Sequence, residues 1–161
     1  MMIRRPLRVF CCFMIVWWLT GISSAADVRS QQVEVVASPV GAVVLLKAES
    51  KAIPVFVDAT VAESIHAALS GGTLRRPFPH NLMHTILTAY GGKVIQVAIT
   101  LKESTYYAAL TVQLRNETKV FDSRASDAIA LATHFKAPIL VSRELLDAQG
   151  KVIDVPGAQS L

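Results

Sequence analysis

Asp122, Arg124 and Asp127 stand close together where an extended segment runs into a helix, within the stretch VFDSRASDAIALATHFKAPILVS from Val120 to Ser142. Two carboxylates at this spacing can hold one hard divalent cation, with water and a substrate oxygen completing its shell. A guanidinium between them can neutralise a phosphate. Asp122 and Arg124 are two apart in an extended segment and so project to one side, while Asp127 falls in the first helical turn, where unpaired backbone N–H groups also suit anions. A second chemical cluster lies upstream in LRRPFPHNL, Leu74 to Leu82. Arg75 and Arg76 can clamp phosphate oxygens, and His80, fixed between Pro79 and a helix start, can move a proton or ligate a metal. A purely structural account of the same residues is also open: Arg124 pairs with Asp122 or Asp127, Ser126 caps the helix, Asp127 complements its dipole, and Asn81 caps the helix after His80.

The elements that must position these groups follow from periodicity. Ala128, Leu131, Ala132 and Phe135 recur at i, i+3, i+4 and i+7, one apolar helix face, and Pro138 to Val141 forms a short buried-strand pattern. Upstream, Val33–Val36, Val43–Lys47 and Ile53–Val57 read as strands, the last with Pro54 marking an edge or a free N–H side. Thr60 and Glu63 spell a capping box that opens a helix stopped by Gly71-Gly72. A second helix carries Leu82, Met83, Ile86, Leu87 and Tyr90 on its apolar face. Lys93–Leu101 and Tyr106–Leu114 alternate as a long hairpin, and Lys119–Asp122 adds a strand that delivers the acidic turn. His66, His84 and His134 fall on polar helix faces. The expected fold is α+β, a single compact domain with a mixed, largely antiparallel sheet of about seven strands and three to four helices. Its predicted core includes Ile95, Val97, Ile99, Leu110, Val112, Ile129 and Leu131.

The N-terminus reads as a removable leader. Arg4, Arg5 and Arg8 precede an apolar run from Val9 to Leu19, and Ser24-Ala25-Ala26 supplies the small residues of a cleavage site. The run is about half the length a spanning helix needs. Cleavage after Ala26 gives an exported chain, periplasmic or secreted, with a domain over 27–150, a C-terminal tail over 151–161 and no stable membrane anchor. Both cysteines, Cys11 and Cys12, leave with the leader, which excludes thiolate chemistry in the mature protein. Three arginines leave with it too, so thirteen basic residues remain against twelve acidic ones. The pI of about 9.3 therefore belongs to the leader, and any nucleic acid must be held by local contacts.

Arg76-Pro77 with His80 and Leu82, then Asp122-x-Arg124-x-Ser126-Asp127-Ala128-Ile129-Ala130-Leu131-Ala132, then Ala137-Pro138-Ile139, together resemble the bifunctional nuclease domain family. The similarity runs from about Val33 to about Gly150. It implies a compact α+β domain that hydrolyses phosphodiester bonds in both DNA and RNA. The chain departs from the family pattern at Pro79-His80-Asn81, where the family shows Thr-His-Asp, at Ala125, where it shows Pro, and at Val61, where it shows Glu. Two carboxylates are therefore absent, and if either binds a metal or a proton in the family, this member is weakened or inactive.

The chemistry expected is metal-assisted phosphodiester hydrolysis with magnesium or manganese. Asp122 and Asp127 would hold the cation, Arg124 and Arg76, with Arg75, would offset phosphate charge, and His80 would shuttle a proton. The competing expectation is a non-catalytic exported binding or assembly module with the same fold, and homo-oligomerisation stays open. Export itself is directly testable: mass spectrometry of the exported protein should find Asp27 at the mature N-terminus, whereas a membrane-bound chain that retains Met1 or Met2 would contradict the leader.

Overall fold

The run Ala125–Phe135 (ASDAIALATHF) forms a helix whose middle is buried on every side: Ala125, Ala128, Ile129, Ala130, Leu131 and Ala132 are all inaccessible to solvent. A helix apolar all round must be enclosed, and its many alanines let neighbours approach closely. In the computed structural model, which describes residues 26–39, 41–72 and 75–152, this is the central element. The bulk of the expected leader and the chain beyond Val152 lie outside the described residues.

In chain order the elements are β1 (Val28–Arg29), β2 (Gln32–Ser38), β3 (Gly41–Ala48), β4 (Lys51–Val57), α1 (Ala59–Ser70) and α2 (Pro79–Ala89). These are followed by β5 (Gly92–Lys102), β6 (Thr105–Leu114), β7 (Glu117–Arg124), α3 (Ala125–Phe135), β8 (Ile139–Val141), α4 (Arg143–Gln149) and β9 (Lys151–Val152). The fold is α+β and largely antiparallel, as expected, but the strands divide into two sheets, β1-β8-β5-β6-β7 and β2-β3-β4-β9. Only β5 and β8 run parallel, after the crossover through β6, β7 and α3. Nine strands appear where about seven were expected. The additional pair, β1 and β9, are two-residue strands docked on β8 and on the start of β4, too short to carry any periodicity.

Both sheets and three helices share one core. Val44, Leu46, Ile53 and Val55 from the smaller sheet meet Val97, Ile99, Leu110 and Val112 from the larger one around Ile129 and Leu131 of α3, with Ile65 of α1 and Leu145 and Leu146 of α4 closing it. Pro54 faces Leu45 of β3, and on its other side β9 reaches only Lys51 and Ala52, so the missing N–H interrupts no ladder.

Several local expectations change. Ile95 is only half-buried, because β5 carries a bulge between Val94 and Gln96 that turns Val94 inward in its place. The other six predicted core residues are buried. Three caps move. Asp58, not Thr60, caps α1 by accepting from the Val61 N–H at 3.0 Å. Phe78 precedes α2, with Pro79 at the first helical position, so Asn81 lies inside the helix. Arg124, not Ser126, is the residue before α3. The apolar face of α2 is also largely unpacked: Leu82, Met83, Ile86 and Tyr90 are exposed, and Leu87 alone reaches the core. No helix among the described residues is long and apolar enough to cross a membrane.

Leu131→Ala, in the buried middle of α3, should cost about 2–5 kcal/mol in a urea unfolding titration. Ile95→Ala should cost clearly less, since the bulge leaves that side chain half-buried. Equal losses would show that the bulge has been misplaced.

Candidate active site

The order β7–α3 carries the chain directly from an edge strand into the central helix with no loop between them. Asp127 therefore sits at the third helical position and Arg124 at the junction. The Arg124 guanidinium folds forward onto Asp127 in a two-pronged pair, Nε donating to Oδ2 at 2.7 Å and Nη2 to Oδ1 at 3.0 Å. His80, two residues into α2 and 5% exposed, donates from Nε2 to Asp127 Oδ1 at 3.1 Å. The upstream cluster and the acidic turn thus meet through one carboxylate. Hydrogen bonds from Arg124 are the main reason that Asp127 has a lowered pKa; burial opposes them, and the His80 bond adds to them. Asp127 is consequently held as the carboxylate.

This chain of contacts changes what His80 can do. Its Nε2 is engaged with Asp127, and its Nδ1 is buried without a hydrogen-bond partner among the described residues. His80 is a positioning residue for Asp127, which in turn orients Arg124. The guanidinium is largely exposed, and its Nη1 stays available beyond the fork.

Beside this trio lies a groove of about 1020 Å³ between α2 and the β6–β7 edge. Its polar end is built from three helix amino termini: Asp58, Thr60 and Val61 of α1, Pro79 and His80 of α2, and Arg124 and Asp127 at the start of α3 all line it. The first is capped by Asp58, whereas α2, which begins on Pro79 and so lacks its first N–H, and α3 have no side-chain cap among the described residues, an arrangement that suits an anion. The rest of the groove is apolar, walled by Met83, Leu87, Leu110, Val112, Leu114 and Phe121.

The other expected site residues are placed as follows. Asp122 lines the groove and has no side-chain partner among the described residues. It is paired across the sheet with Ala109, on the face opposite that of Phe121 and Ser123. No contact joins it to Asp127. Arg75 and Arg76 are exposed, make no ion pair among the described residues, and do not line the groove. No group of three or more His, Cys, Asp or Glu side chains among the described residues is arranged to hold a metal ion. Asp127, one of the two expected ligands, already has both oxygens bonded. Asp58 was missed from the sequence. Its signal was its place directly after a strand and three residues before the N–H it caps. Of the two positions where the family pattern has a carboxylate, Val61 is buried and lines the groove, and Asn81 has a buried Oδ1 without a partner.

A second polar cluster lies where α1, α2 and α3 meet, and it packs His84 and His134, expected on polar helix faces, against neighbouring side chains. His134 Nε2 is hydrogen-bonded to the fully buried Ser64 Oγ at 3.1 Å, and the His84 ring lies against His134 and Phe135. Burial, then the proximity of His84 and His80, lowers the His134 pKa.

Residues 43–154 match the model of the bifunctional nuclease domain, and the chain belongs to that family. It is also 32% identical over 102 residues to two uncharacterized proteins of Mycobacterium tuberculosis, one from strain CDC 1551 / Oshkosh and one from strain ATCC 25618 / H37Rv. The match covers 63% of this chain and spans 60% of the length of those relatives.

The two lowered pKa values give stability the same pH dependence. A group whose folded pKa lies below its unfolded one lets the unfolded chain bind more protons between the two values, so stability falls as pH falls through that window. For His134 the loss begins below its ordinary value of 6.5, and for Asp127 below 3.8. Urea titrations across this range should therefore show two successive losses. His134→Gln should flatten the first and Asp127→Asn the second; an unchanged acid limb in both variants would remove these residues from the account.

Proposed function

We propose that this protein is an exported nuclease that hydrolyses phosphodiester bonds in DNA and RNA. The observation that supports the reading most strongly is the convergence of three helix amino termini and the Arg124 fork on one end of a groove. A phosphodiester carries one negative charge, and such a site meets it with open N–H groups, helix dipoles and a pre-oriented guanidinium. Charge grows on the phosphoryl oxygens as water attacks. Donors already fixed in place stabilise that growth without reorganising. Asp127 fixes Arg124, and His80 fixes Asp127. Asp122 borders the groove from the face of β7 opposite Phe121 and Ser123, so the proton of the attacking water is left to solvent.

A divalent ion belongs to this proposal only as a test. The donor set among the described residues does not form a cage for magnesium or manganese. The competing reading is a binding or assembly module without catalysis. It is favoured by the saturation of Asp127 and by the placement of Asp122 on the face of β7 opposite Phe121 and Ser123.

Purified mature protein should cleave DNA and RNA strands, and Arg124→Ala should lower the rate by about 10²-fold without unfolding the chain. His80 separates the roles. Gln can place an amide N–H where Nε2 stands, so His80→Gln should retain most of the activity that His80→Ala loses, whereas a proton shuttle would lose it in both variants. Assays with a chelator, magnesium and manganese establish whether a metal takes part. Absence of cleavage under all three conditions would favour the binding module.

A further inference from the structure

The groove is chemically divided, and only its polar end is used by the phosphodiesterase reading. Along β7 the residues opposite Leu114, Val112, Leu110 and Ala108 are Glu117, Lys119, Phe121 and Ser123. Residues directly opposite each other on paired strands point to one face, so these four share the groove side of the sheet. Phe121 is 49% exposed there although its cross-strand neighbour Leu110 is buried, and Met83 of α2, 44% exposed, lines the same groove. Lys119 and Ser123 flank Phe121 at two-residue spacing on the same face. Polar groups therefore bracket an aromatic ring, and the anion-receiving helix termini close one end.

An occupant that satisfies both parts needs an anionic group joined to a flat apolar one. We propose that the apolar part of this groove holds an unstacked nucleobase of a single-stranded nucleic acid, seated against Phe121 and Met83 while a neighbouring phosphate lies at Arg124 and the uncapped ends of α2 and α3. The proposal rests on the nuclease reading and supplies what it lacks, the form of the substrate. In a duplex the faces of the bases are covered by stacking and cannot reach a wall between a helix and a sheet edge. In a single strand every base offers a π-face, and stacking on an aromatic side chain is tolerant of sequence. A saturated acyl chain would fill the apolar part equally well but gains nothing from the ring or from the polar groups on either side of it.

The test is fluorescence anisotropy of a labelled oligothymidylate, an abasic strand of equal length and charge, and the matching duplex, with EDTA and in parallel with calcium. The base-bearing single strand should bind about tenfold more tightly than the abasic one, and more tightly than the duplex. Phe121→Ala should remove that difference and Phe121→Trp should keep it, while Arg124→Ala should weaken all strands alike. Phe121 is half-exposed, so its truncation leaves the core intact. Equal binding of base-bearing and abasic strands, no binding of any strand in either condition, or displacement of the strand by an equal concentration of dodecyl phosphate would each overturn the proposal. Cleavage separates the two readings: equal hydrolysis of base-bearing and abasic strands removes base seating and leaves the phosphodiesterase, and hydrolysis of neither removes the phosphodiesterase while binding still decides base seating.

Discussion

The enclosure of α3 is the constraint from which the remaining structure follows. Its flanks are occupied by α1, α2 and both sheets, and Ala128, Ile129, Ala130, Leu131 and Ala132 leave no polar face for solvent. Such a helix has only its ends at which to place charge. Its amino end is reached straight from β7, so Arg124 and Asp127 emerge at the one point where a buried element meets an open groove. Their partner is then determined by packing. α2 lies along α3, and its second residue, His80, is carried to Asp127 whether or not chemistry requires it. Enclosure also accounts for the small residues: a bulky side chain on the upper face of α3 would separate the sheets whose contact forms the core.

Much of this was legible in the sequence, for reasons that can be stated residue by residue. The i, i+3, i+4, i+7 pattern of Ala128, Leu131, Ala132 and Phe135 identified α3, and alternation in Tyr106–Leu114 correctly placed Ala108, Leu110 and Val112 inward. Long periodic segments average over many side chains, so one exception does not disturb them. The bulge in β5 shows the limit. Both Val94 and Ile95 are apolar, and nothing local states which of two adjacent β-branched residues faces inward once the ladder slips. The division into two sheets was not legible, because sheet membership is set by pairing between distant segments and adjacent strands carry no mark of it.

The caps failed for a related reason. Thr60, Asn81 and Ser126 all match the composition of a cap, but the first helical residue is set by where the preceding strand or proline releases the chain. α1 starts after β4 ends, which selects Asp58. Pro79, with its fixed φ and missing N–H, starts α2 one residue before His80. The shift has chemical consequences. With Pro79 in the first position, His80 occupies the second, where its ring turns inward toward Asp127. A start at Asn81 would have left the same histidine in the loop, where it was read as a proton shuttle.

α2 is where local pattern and tertiary placement disagree most. Its apolar residues have the spacing of a core helix, yet Leu82, Met83, Ile86 and Tyr90 face outward. The helix is attached along its opposite side by Leu87, by the His84 contacts with His134 and Phe135, and by the His80–Asp127 bond. Two of these three attachments are polar or aromatic contacts among histidines, and such contacts hold position without the area-proportional stabilisation of an apolar interface. α2 is therefore the element of the site whose position costs least to change. Because it forms one wall of the groove and supplies the bond that keeps Asp127 beneath Arg124, any movement of α2 alters groove width and guanidinium orientation together. Binding in the groove and the arrangement of the polar trio are thus one mechanical unit rather than two neighbouring features.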